Sequence, residues 1–204
     1  INVSDYTGTI SVASVETVTL NGGAVKSTIA DLQTDKQTSL TITGDTALTI
    51  TAALDNLTAV VNASATTAGI SVTLAPATAT YPVTVTGGTG NDTVNLDTSF
   101  SKYITYNGGA GTDTLAIDDA DDISSTSTVG LTSVESLRID TNDATSFNMS
   151  FLPTVTSVVA NAANGANAVT LTKMTAENSN ITITETGTEG VIGTMAIDGT
   201  DDVL

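Results

Sequence analysis

Gly87-Gly88-Thr89-Gly90-Asn91-Asp92-Thr93-Val94-Asn95 and Gly108-Gly109-Ala110-Gly111-Thr112-Asp113-Thr114-Leu115-Ala116 are two copies of one nonapeptide, Gly-Gly-x-Gly-x-Asp-x-apolar-x. Glycine tolerates the backbone conformations that turn carbonyl oxygens toward one point, and the aspartate adds a carboxylate there. The x-apolar-x that follows starts a short strand and sends Val94 or Leu115 into a core. One such loop is half of a cation site, and a second loop stacked on it completes the shell. Asp92 and Asp113 stand 21 positions apart (113 − 92). Loops on one side of an ideal roll recur about every 18 residues. The spacing therefore predicts one full coil with a short excess, placed at Asp97–Lys102. Both aspartates then lie on the same side, roughly 4.8 Å apart, close enough to share Ca²⁺.

Outward from these motifs the chain reads as strand. Thr or Ser alternates with an apolar residue at Val15–Leu20, Ser39–Thr43, Ala47–Thr51, Ile70–Leu74, Val83–Thr86, Val155–Val159, Val169–Thr172 and Ile181–Thr184. Period-two alternation with β-branched residues is a strand signal. Turn clusters such as Asn21-Gly22-Gly23 and Asn164-Gly165-Ala166-Asn167 separate the runs. Only Ala24–Asp35 and Lys173–Ser179 offer themselves as short helices.

Four segments also repeat at an offset of 97 or 98 residues: Ser39–Thr43 with Ser136–Asp140, Leu54–Val61 with Leu152–Val159, Val72–Leu74 with Val169–Leu171, and Val83–Thr86 with Ile181–Thr184. This predicts a tandem duplication: a β-solenoid module at 1–130 carrying both nonapeptides, and a second, degenerate copy at 131–204. Repeated short strands fit a solenoid whose coils cover one another. Two tandem β-sandwich modules are the alternative.

Composition narrows the function. The chain of 204 residues has no Cys, His or Trp, and 22 acidic against 5 basic side chains, a net charge of −17. Zinc fingers, haem ligation, thiol nucleophiles and imidazole bases are excluded. The charge disfavours nucleic acid and anionic membranes, and no apolar run has the roughly 18 residues of a membrane span. Of the acids 17 are Asp and 5 are Glu, and short carboxylates in loops suit Ca²⁺. Thr makes up about a fifth of the residues and aromatics 3%, so the core must be aliphatic. The chain begins at Ile1 without Met and ends at Leu204 in a strand-like run, which reads as a piece of a longer protein.

The two nonapeptides resemble the RTX repeats of calcium-binding β-roll proteins exported by Gram-negative bacteria. The Thr/Ala/Val/Asn-rich surroundings, with the phrases Val15-Glu16-Thr17-Val18 and Val134-Glu135-Ser136-Leu137, are most similar to RTX-type surface-layer proteins. The resemblance in specific motifs covers Thr86–Ala116; elsewhere it is one of style. It implies a right-handed parallel β-helix or β-roll-like solenoid with calcium-binding turns. It implies Asp92 and Asp113 as side-chain ligands of Ca²⁺, with Gly88, Gly90, Gly109 and Gly111 offering carbonyls. With only two motifs, one or two sites are expected. The expected function is a non-enzymatic structural module of an exported surface-layer protein on the cell exterior, self-assembling with identical subunits, with cell-surface polysaccharide as a second candidate partner. An adhesin module of a large RTX-like protein is the alternative, and an enzyme fragment on a β-helix is disfavoured by the few candidate bases. Further acidic turns, Asp118–Asp122 and Gly199–Val203, are secondary cation candidates beside a plain reading as solvated loops.

Overall fold

The computed structural model describes residues 1–96, 101–117, 130–140, 145–160, 168–173, 182–185 and 194–198. The acidic turns 118–122 and 199–203, residues 97–100 and 174–179, and the turn 186–190 lie outside them.

Every strand ladder among the described residues is parallel. The A sheet is formed by β1 (Asn2–Val3), β3 (Thr17–Gly22), β5 (Ser39–Gly44), β7 (Val60–Thr66), β9 (Val83–Thr86), β11 (Ile104–Asn107) and β13 (Gly130–Thr132). The B sheet takes the alternate strands: β2 (Thr7–Val12), β4 (Ser27–Thr34), β6 (Leu48–Ala53), β8 (Ile70–Leu74), β10 (Thr93–Leu96), β12 (Thr114–Ile117), β14 (Ser136–Ile139), β16 (Ser157–Ala160) and β18 (Thr182–Glu185). A third sheet joins β15 (Thr145–Asn148), β17 (Ala168–Thr172) and β19 (Thr194–Asp198). The chain thus winds from sheet to sheet as a parallel β-solenoid. Sandwich modules, which are antiparallel, are ruled out.

The register gives the coil length. Partners step from Ile50 to Val72, Val94, Leu115 and Leu137, or 22, 22, 21 and 22 residues. The offset of 97 or 98 residues is then about four and a half coils. The matched segments accordingly fall on different sheets: Ser39–Thr43 lies in β5 of the A sheet, and its match in β14 of the B sheet. Crossing position 130, β12 pairs directly with β14, so the B sheet runs through without a break.

Alternation places one side chain in two inside. Ile29, Ile50, Val72, Val94, Leu115, Leu137 and Val158 form the inner row of the B sheet, and Val18, Leu40, Val61, Val85 and Tyr106 that of the A sheet; all are buried. Burying each aliphatic side chain contributes about 1.5–3 kcal/mol.

The helix expected over Ala24–Asp35 is instead β4, and the cause is a bulge. Register shifts between Gly8 and Thr9 on β2, so Ile29 pairs with Gly8 while Leu32 pairs with Ile10. Ile29 and Leu32 both face the core although three positions apart, and that spacing imitates a helix.

Candidate metal centre

The first glycine loop leaves β9 and enters β10; the second leaves β11 and enters β12, one coil on. Thr93 pairs with Thr114, so Asp92 and Asp113 hold equivalent positions on adjacent coils. The loops touch backbone to backbone. A Cβ on Gly87 would lie 2.0 Å from the Gly108 carbonyl oxygen, one on Gly88 2.3 Å from that of Thr66, and one on Gly109 2.2 Å from that of Gly88. Gly90 stacks in the same way on Gly69, and Gly111 on Gly90. Glycine is needed here chiefly for close approach, and at Gly109 (φ +100°) and Gly111 (φ +134°) also for conformation. The Gly88 carbonyl accepts from Ala110 N–H at 3.0 Å, so it serves the stack of loops.

The aspartates turn inward and are buried, 1% and 0% exposed. Asp92 Oδ1 accepts from Ile70 N–H (2.8 Å) and its Oδ2 from Gly88 N–H (2.7 Å). Asp92 N–H donates to Asp113 Oδ1 at 2.7 Å, and Asp113 N–H donates to Glu135 Oε2 at 2.9 Å. Each carboxylate therefore receives the backbone amide of the equivalent residue one coil earlier. In the register Ser71–Thr93–Thr114–Ser136, the preceding positions are Ile70, Asp92, Asp113 and Glu135. Leu48 pairs with Ile70 below them. One turn column thus begins aliphatic and becomes acidic.

The two loops differ at one oxygen. Asp92 Oδ2 has the amide of Gly88. The counterpart of Gly88 is Gly109, whose backbone turns to positive φ, and Asp113 Oδ2 is buried with no hydrogen-bond partner.

The electrostatics follow. Burial raises the Asp92 carboxyl above its usual range against the pull of the Ile70 and Gly88 amides. Burial likewise raises Asp113, to about 6; the Asp92 amide opposes the rise, and the Asp92 and Glu135 charges add to it. Tyr106, wholly buried beneath the column, donates its hydroxyl to the Asp92 carbonyl at 3.2 Å. Its ionisation is pushed upward by burial and by the charges of Asp113, Asp92 and Glu135.

The structure thus brings Asp92 and Asp113 onto one side, and the six loop positions singled out from sequence form one continuous stack. Glu135 joins them although no glycine motif precedes it. The available signal was its distance from Asp113, 22 residues (135 − 113), one coil. Among the described residues no three acidic side chains gather into a preformed metal cage; the acids follow one another up a column. The residue chemistry nonetheless fits a hard cation at Asp113, whose unpartnered buried oxygen lacks a counter-charge between two further carboxylates. Comparison of the chain with family models, with curated proteins and with solved structures finds no match.

Proposed function

We propose that this chain is a structural module of an exported bacterial surface-layer protein, whose folding and self-assembly are supported by bound Ca²⁺. The observation that carries the reading is Asp113 Oδ2, buried and without a partner in a column of like charges between stacked glycine loops. Ca²⁺ accepts carboxylate and carbonyl oxygens in flexible geometry and supplies the missing positive charge. Asp113 would hold it, with Glu135 and Asp92 as neighbouring carboxylates and the Gly88, Gly90, Gly109 and Gly111 backbone around it. Glu135 is partly exposed, which gives a cation a path inward. Outside a cell Ca²⁺ reaches the level at which sites of about 10⁻⁴–10⁻³ M affinity fill. Neutralising part of the −17 charge would let identical chains approach one another.

The test is thermal unfolding and light scattering after chelation, with Ca²⁺ or Mg²⁺ restored at fixed ionic strength. Ca²⁺ at a hundred times its Kd should add about 2.7 kcal/mol of stability. Mg²⁺, which demands tight octahedral geometry, should add much less. Particle size should rise with Ca²⁺ alone. A melting temperature and size indifferent to Ca²⁺ would overturn the reading.

A further inference from the structure

The outer face of the B sheet carries a regularity that calcium does not use. From Thr7 on β2, through Thr49, Ser71, Thr93 and Thr114, to Thr182 on β18, each of the nine strands places Thr or Ser at the same register position. The row is a ladder of hydroxyls repeating at roughly the 4.8 Å strand spacing, with a methyl beside the hydroxyl at each threonine and none at Ser71, Ser136 and Ser157. Strands β6, β8, β10 and β12 contain no charged residue at all, in a chain of net charge −17.

A groove of about 260 Å³ lies on this face, lined by Thr51, Thr73, Asn95, Ala116, Arg138 and Asp140, with Leu96 beneath. Its polar groups are fixed in place. Arg138 reaches from β14 across Ala116 and donates through Nη2 to Asn95 Oδ1 on β10 at 2.9 Å. Asn95 Nδ2 donates to Ser71 Oγ on β8 at 3.1 Å. Arg138 Nε pairs with Asp140 at 2.7 Å. That ion pair closes the charge of the groove, so it offers donors and acceptors without a net sign.

We propose that this face, centred on the groove between Thr51 and Arg138, binds a neutral polysaccharide laid across the strands. A pyranose ring presents hydroxyls at its edge and C–H groups on its faces. The ladder presents a hydroxyl on every strand and a methyl at each threonine. Arg138 presents the guanidinium N–H groups that Asn95 and Asp140 leave over, while both Asn95 amide hydrogens are held by Ser71 Oγ and the Val72 carbonyl. On the Thr/Ser row a polymer crossing the strands meets a hydroxyl at every coil, and in the groove beside it Thr51 and Thr73 supply the hydroxyls. Without an aromatic platform each contact is weak, so affinity must grow with chain length. A uronate polymer is disfavoured because the groove is charge-closed and the protein is strongly acidic. The inference is independent of the cation.

The test uses the full chain in Ca²⁺, titrated with cellohexaose, maltohexaose and mannohexaose, their disaccharides, and hexagalacturonate, with backbone amide shifts as the readout. At least one neutral hexasaccharide should shift B-sheet amides of β6–β14, with an affinity at least about tenfold above its disaccharide. Thr73→Lys should weaken this at least about tenfold. Thr105→Lys, exposed on the A sheet, should leave it unchanged, both variants keeping the wild-type circular dichroism and melting temperature. No shift with any neutral hexasaccharide at about 10 mM overturns the proposal. So do shifts on the A sheet, tighter binding of hexagalacturonate, or a face that proves instead to pair two copies or to adsorb to ice. Loss of Ca²⁺ stabilisation with sugar binding intact would refute the calcium reading alone.

Discussion

Asp113→Asn should stabilise the protein when calcium is absent. The substitution keeps the oxygen that accepts from Asp92 N–H and removes a buried charge whose other oxygen has no partner. Asp113 titrates at about 6 when folded, against an ordinary 3.8. The folded state therefore holds the proton more tightly between those values. Stability falls as pH rises from about 4 to about 6 and stays lowered above that. At about 1.4 kcal/mol per unit, the shift of roughly two units amounts to an upper bound near 3 kcal/mol. For a chain of this size that is roughly 6–12 °C in Tm.

The assay is urea or thermal unfolding of both proteins in chelator at pH 4 and pH 8. The Asn variant should match the wild type at the lower pH and exceed it at the higher one. With saturating Ca²⁺ the order should invert, since the variant loses the charged ligand. A stability difference that does not vary with pH, or an Asn variant weaker at pH 8 in chelator, would refute the assignment of Asp113 as a buried charge seeking a partner.

Asp92→Ala should act in the opposite sense. It strips the acceptor from the amides of Ile70 and Gly88, at about 1–3 kcal/mol for each buried donor left alone, so chemical denaturation should show a loss of about 2–6 kcal/mol with or without Ca²⁺. Gly88→Ala should cost at least about 1–3 kcal/mol in the same measurement, because its Cβ would meet the Thr66 carbonyl at 2.3 Å and backbone has to move.

How far the sequence carried this structure depends on what repeats along the chain and what repeats only across it. Strands such as Ser39–Gly44 and Ile70–Leu74 announce themselves by alternation, since each side chain's neighbours decide its face. β4 does not, because it carries a bulge, with Ala30 left unpaired between Ile29 and Asp31, that displaces its inward phase between Ile29 and Leu32. The parallel arrangement cannot be derived from alternation, which serves sandwich and solenoid alike. The two nonapeptides did supply it, because their spacing is one coil. Glu135 was hidden for a conformational reason. The residue stacked on Gly108 is Ser133, which adopts positive φ (50°) where a glycine would have marked the turn. The Arg138–Asn95 bond, spanning 43 residues, and the hydroxyl ladder emerge only once register is known.

A solenoid turns each position of its coil into a column, so one residue choice is multiplied along the axis. For the inner rows multiplication helps: Ile50, Val72 and Val94 bury one another. For the outer row it is harmless, since Thr49, Ser71 and Thr93 keep access to solvent. For the turn column it is harmful. Ionised carboxylates one strand spacing apart repel by roughly 3.5 kcal/mol per pair at an effective dielectric of 20. The amides of Ile70, Asp92 and Asp113 offset part of this, one per carboxylate. Asp92 gains a second amide from Gly88, whereas Asp113 leaves an oxygen uncovered. Leu48 and Ile70 show that the same column can be filled with aliphatic side chains. Replacing them by acids over the next three coils adds like-charge repulsion that the amides offset only in part. That repulsion, rather than the glycine motif by itself, is the physical ground on which a cation at Asp113 is proposed.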